Sequence, residues 1–160
     1  MMPDFKELIE QLTEDEGYRE SVYQCTAGYD TVGIGFALKD LEFTPEEAYD
    51  LVLWQIQNGT ITMGLEDSQL KLAQKISNLH LSLPKRFDFY DDLPPMIKNV
   101  LLNMSFQMGV NGVSKFKKMI KAMSESDWKG AADEMLDSKW ARSDSPPRAK
   151  RLADIVREHG

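Results

Sequence analysis

In the run DEGYRESVYQCTAGYDTVGIGF, Asp15 to Phe36, three side chains able to handle a proton or a water fall close together. Eight residues separate Glu16 from Cys25, and five separate Cys25 from Thr31. A carboxyl group and a second polar group can together cleave a glycosidic bond, the first protonating the leaving oxygen and the second acting on the opposite face of the sugar. Glu16 suits the first role because it closes a predicted helix, where the macrodipole's negative end disfavours a further negative charge. Cys25 is a poor general base, since a free thiol with a pKa of about 8.5 is only a few per cent thiolate at pH 7. It could place a water together with Thr31, or attack the sugar itself. Each residue also has a plainer reading. Glu16 alone is a solvated helix-end carboxylate, Cys25 a small buried apolar residue, and Thr31 a strand residue favoured by its β-propensity. The glycines of TVGIGF lack the rest of either nucleotide fingerprint, so tight strand packing or close approach of a sugar explains them better.

The elements that must position these residues follow from periodicity. Phe5, Leu8, Ile9 and Leu12 recur at helical spacing over residues 3–15, with Pro3 near the first turn and Gly17 where a helix ends. Over 18–38, Tyr, Val, Thr and Ile alternate with glycine, which predicts an antiparallel hairpin or three-stranded sheet. Thr44-Pro45-Glu46-Glu47 is a capping box opening a helix to about Gln57. A second cap at Thr62 opens a long helix to about Leu81, where Pro84 breaks the pattern; about 18 residues of helix span roughly 27 Å, enough to join two lobes. Pro94-Pro95 starts a helix through MIKNVLLNMSFQMG, and further helices are predicted over 113–123, 126–138 and 147–158. The expected fold class is α+β, mostly helical and two-lobed. A small antiparallel sheet lies in an N-terminal lobe of about 16–60, a connecting helix spans about 62–81, and a helical lobe covers about 82–160 with the N-terminal helix packed on it.

Composition narrows the function classes. The chain has 160 residues and a single cysteine, which forbids an internal disulfide and agrees with a reducing compartment. Its net charge of −7 argues against nucleic acid as the main partner. The charge is uneven: residues 1–112 hold 8 Lys and Arg against 18 Asp and Glu, and residues 113–160 hold 11 against 8. The Lys115, Lys117, Lys118 and Lys121 cluster reads as a solvated helix face. No apolar run approaches the roughly 20 residues of a bilayer span. The charged start MMPDFKELIEQL holds no signal-peptide core, so accumulation in the cytoplasm where the protein is made is expected. His80 and His159 have no Cys or His partners at ligand spacing, and neither a metal site nor a cofactor is expected. Met104, Met108, Met119, Met123 and Met135 fall on helix faces as core residues.

With these blocks in view, the chain resembles the T-even phage lysozymes of glycoside hydrolase family 24. The likeness starts at DEGYRESVYQCTAGYDTVGIGF, similar to that family's acid, Asp or Cys, and Thr signature. It continues through NGTIT, LLNMSFQMGVNGVSKF and DWKGAADEMLDSKWARSDSPPRAKR. Four ordered blocks at matching spacing cover nearly the whole chain.

The resemblance implies a muramidase of the endolysin type, cutting bacterial peptidoglycan between N-acetylmuramic acid and N-acetylglucosamine to lyse a host cell. On it, Glu16 is the general acid, Cys25 holds the second catalytic position, and Thr31 helps hold the water. Gly35, Phe36, Phe106 and Gln107 line the saccharide cleft, Arg148 reaches back towards Glu16, and Trp140 packs behind the cleft. It also implies a monomer without stable membrane insertion, held in the host cytoplasm until a separate holin gives it access to the periplasm at lysis. The chain departs from the pattern with Cys rather than Asp at the second position, with Phe36 where a His is common, and with an end at Gly160 that omits a final short helix. Without the Asp, two rival readings stay open: a lytic transglycosylase, which needs one acid/base carboxylate, and a non-catalytic peptidoglycan-binding virion component.

Overall fold

The computed structural model describes residues 3–24, 30–33, 36–37 and 65–159; of the segments 19–24, 30–33, 36–37 and 65–66 it describes the backbone alone. Helix α1 spans Phe5–Glu16. Asp4 caps it, its Oδ1 accepting from the Glu7 N–H at 3.1 Å, a partner for one of the donors a helix start leaves open. Gly17 ends it with φ +72°, its N–H bonded to the Thr13 carbonyl at 3.0 Å. The backbone then runs through β1 (Arg19–Gln24), β2 (Asp30–Gly33) and β3 (Phe36–Ala37). These pair antiparallel in the order β1-β2-β3, Thr31 lying opposite Tyr23 on one side and Ala37 on the other.

The expected α+β class is corrected. Where side chains are placed the chain is 84% helical, with no strand or sheet in that part, so helix packing on helix decides the class. The physical reason is the length of the pairing segments. Strands of six, four and two residues are short for a sheet that is to found a layer of its own. Turn-rich alternation over 18–38 marks a change of backbone, and it overstates what that backbone adds to the fold. The helix expected from Thr44 and the cap at Thr62 lie outside the described residues.

By contacts the chain divides into two compact units, residues 9–74 and residues 1–8 with 75–160. In the first, Leu12 and Leu72 are fully buried. Helix α2, Leu65–Arg86, runs five residues past the end the sequence suggests. Pro84 stands in its last turns and removes one N–H only; the Phe87 N–H still reaches the Leu83 carbonyl at 2.8 Å, so the turn closes beyond it.

The second unit is built around α3, Pro95–Ser114, which starts with a proline in its first turn. Nine successive residues, Ile97 to Ser105, are buried, so the helix shows no solvent face there and must be central. Each fully buried Leu, such as Leu101 and Leu102, contributes about 1.5–3 kcal/mol of apolar transfer. Gly109 breaks α3 with φ +77° and ψ 162°. Helices α4 (Lys117–Ser124), α5 (Trp128–Leu136) and α6 (Pro146–His159) follow. Helix α4 starts four residues later than expected because Phe116, at ψ 60°, is not helical. Asp127 caps α5, accepting from the Gly130 N–H at 3.0 Å. Ala131, Ala132, Ala149 and Ala153 are buried, and their small side chains let α5 and α6 lie close. Met104, Met119, Met123 and Met135 are core residues; Met108 is half-buried.

Candidate active site

Helix α3 carries two amides one turn apart, Asn103 and Gln107, and each holds a side chain from the C-terminal segment. The Asn103 Oδ1 accepts from the Arg148 Nε at 2.9 Å, in a buried setting where Arg148 is 8% exposed. A guanidinium so buried requires such acceptors, because an uncompensated charge away from water is costly. The Gln107 Oε1 accepts from the Trp140 indole Nε1 at 2.9 Å, and its Nε2 donates to the Ser145 Oγ at 2.6 Å. An i, i+4 spacing places Asn103 and Gln107 on one face, so the seam runs along the helix.

The partner segment is shaped to meet that seam. Trp140–Asp144 forms a single π-turn, in which the Ser145 N–H bonds the Trp140 carbonyl at 2.8 Å. Such wide turns insert one residue beyond the α repeat and re-aim the chain. The Ser145 carbonyl accepts the Ala149 N–H at 2.9 Å, so α6 grows directly from the turn and carries Arg148 to Asn103. Trp140 is buried edge-on against Phe116, ring centroids 5.9 Å apart.

A cavity of about 820 Å³ opens beside this seam, within the second unit. Its lining includes Gln107, Trp140, Phe116 and Met108, together with Lys115, Lys117, Lys118 and Lys139 and the acids Glu134, Asp137 and Asp144. Asp137 pairs with Arg142 at 2.9 Å and Asp144 with Lys139 at 3.9 Å. Both pairs are exposed and worth at most about 1 kcal/mol. The lysines read as one solvated face are therefore divided by the structure: Lys115, Lys117 and Lys118 border the cavity, and Lys121 does not.

The sequence-derived residues fall unevenly. Gln107 and Trp140 meet directly; Arg148 is held one turn away, on Asn103. Phe106 is half-buried, with the Lys75 ammonium 5.1 Å from its ring centroid. Glu16 is the last residue of α1, half-buried, in the unit of residues 9–74. Thr31 and Phe36 are placed by their backbones, in β2 and β3. Cys25 and Gly35 lie outside the described residues. Among the described residues no group of three His, Cys, Asp or Glu side chains gathers as metal ligands would. Sequence reading missed Asn103 and Ser145. Asn103 could have been found as a polar residue four before Gln107 in an apolar run, and Ser145 as the hydroxyl preceding the Pro146-Pro147 helix start.

Comparison with known proteins adds the family. The family model described as phage lysozyme matches residues 13–157. Two curated proteins of Dictyostelium discoideum, "Probable T4-type lysozyme 1" and "Probable T4-type lysozyme 2", are each 30% identical over 159 residues. These alignments cover 92% of this chain and 91% and 92% of those proteins. The pre-baseplate central spike protein Gp5 of Enterobacteria phage T4 is 29% identical over 161 residues, 93% of this chain but 27% of that longer protein.

Proposed function

The chain belongs to the phage lysozyme family and is a glycoside hydrolase of the lysozyme type, and from that premise we propose that it cuts the bond between N-acetylmuramic acid and N-acetylglucosamine in bacterial peptidoglycan to lyse a host cell. In this reading Glu16 protonates the glycosidic oxygen, and the sugar–oxygen bond breaks towards an oxocarbenium-like transition state. A water held by Thr31 and Cys25 adds to the anomeric carbon, and its proton returns to solvent. Phe106, Gln107 and Arg148 hold the glycan, and Trp140 backs them. The enzyme acts as a monomer, and a separate holin gives it access to the wall from the host cytoplasm.

What supports the reading most directly is the Gln107–Trp140 hydrogen bond at the cavity wall. Two residues 33 positions apart, assigned to one cleft by resemblance alone, touch there through their polar atoms. A zymogram with purified cell walls tests the reading: the wild-type chain clears a band and Glu16→Gln does not. No clearing by the wild type rejects it. The match to the T4 spike protein favours one second reading, service within a virus particle. Under that reading the chain is found in purified virions.

A further inference from the structure

We propose that Ser145 is a positioning residue for substrate, acting through Gln107: its hydroxyl fixes the Gln107 amide so that the remaining Nε2 N–H donates into the adjoining cavity. The inference rests on the proposed function, since the acceptor it serves belongs to the substrate, a carbonyl or hydroxyl oxygen of the wall polymer.

The network itself assigns the amide. Indole Nε1 can only donate, so the Gln107 atom 2.9 Å from it must be the oxygen. That leaves Nε2 facing the Ser145 Oγ at 2.6 Å, where the hydroxyl accepts. A primary amide has two N–H groups, and Ser145 takes one. The second has no acceptor among the described residues, and Gln107 lines the cavity while Ser145 does not. Both ends of the π-turn are thus bridged by one amide: Trp140 holds its oxygen, Ser145 its nitrogen, and the Ser145 N–H to Trp140 carbonyl bond of 2.8 Å keeps the ends together. With the indole alone, the amide still pivots about its accepted bond. With the hydroxyl added, its plane is set and the free N–H has one direction. A donor fixed before the substrate arrives binds more tightly than one that must be ordered on binding.

The test is a double-mutant cycle on purified, solubilised peptidoglycan. Ser145→Ala should raise KM about two- to tenfold, the worth of one oriented hydrogen bond, with kcat within about twofold. Ser145→Thr, which keeps the hydroxyl, should restore the wild-type KM. In a Gln107→Ala background Ser145→Ala should change nothing further, because its effect passes through the amide. An unchanged KM in Ser145→Ala, or the same loss repeated without Gln107, overturns the proposal. A second readout does not depend on turnover. In ¹⁵N-labelled protein, one Gln107 side-chain amide proton should exchange slowly in the wild type and fast in Ser145→Ala, and fast exchange of both protons in the wild type overturns the proposal. Should Ser145→Ala not fold, Ser145→Cys, near in size and a weak acceptor, gives the same comparison. A wild type that turns over nothing while its Gln107 amide behaves as stated rejects the proposed function and leaves the amide's anchoring intact.

Discussion

Gly109→Ala separates backbone strain from packing at the point where α3 breaks. Gly109 sits at φ +77° and ψ 162°, a region that side chains disfavour and glycine reaches at little cost. A Cβ built there meets nothing within 4 Å, so steric contact contributes no penalty. The whole effect must come from dihedral strain, about 1–3 kcal/mol. For a domain of this size each kcal/mol lowers Tm by about 2–4 °C, so the variant should melt roughly 2–12 °C below wild type. Gly112→Ala is the internal comparison. Its backbone is helical, and its Cβ would meet the Met108 Cγ at 3.0 Å and Cβ at 3.1 Å, so its cost comes from steric contact, of which rotation of the Met108 side chain relieves only the part at Cγ. Urea unfolding followed by tryptophan fluorescence gives both values. If Gly109→Ala stays within about 0.5 kcal/mol of wild type, its backbone does not hold that conformation and the break in α3 is wrongly described.

Asn103→Ala removes the Oδ1 that accepts from the buried Arg148 guanidinium, and should cost about 2–4 kcal/mol in the same urea assay; a loss under about 1 kcal/mol contradicts the seam. Acid should weaken the protein through His80, whose Nδ1 lies 2.8 Å from the Tyr90 hydroxyl. Burial, and then the Lys98 charge, hold its pKa below 6.5, with Asp91 opposing. The folded state therefore binds this proton more weakly than the unfolded chain, and the stabilisation present above about pH 6.5 is lost as pH falls through the lower folded pKa. The Tm advantage of wild type over His80→Asn should shrink between about pH 7.5 and pH 5, and a constant difference refutes the linkage. Cys25→Asp should remain active, because a carboxylate is the better base near pH 7. An unfolded Cys25→Asp together with a thiol that resists alkylation would make Cys25 a packing residue.

Helices were legible wherever an apolar stripe had a cap or a proline at its edge. The Leu8–Leu12 stripe, the Pro94-Pro95 start and the core positions of Met104, Met119, Met123 and Met135 read from spacing alone, while Met108 is only half-buried. Boundaries failed where a local break cost little: Pro84 in the closing turns of α2 removed one hydrogen bond, and Phe116 delayed α4 by leaving helical dihedrals. The fold class misled for another reason. Alternating residues describe how a backbone pairs, whereas class depends on which layer builds the core, and no local pattern states that. In the site, Gln107 and Trp140 were readable only through resemblance, since nothing in a sequence joins residues 33 apart. Asn103 and Ser145 stayed hidden because their importance lies in partners brought by the π-turn, whose extra residue leaves no compositional mark.

The masses of muropeptides released from purified peptidoglycan test the central claim, hydrolysis of the glycan with Glu16 as the proton donor. Wild type should release disaccharide peptides with a free reducing end, each carrying the added water, and Glu16→Gln, folded to the same Tm, should release none. Products lighter by one water, in the anhydro form, would identify a transglycosylase, and undiminished release by Glu16→Gln would remove Glu16 from the chemistry; either result contradicts the account.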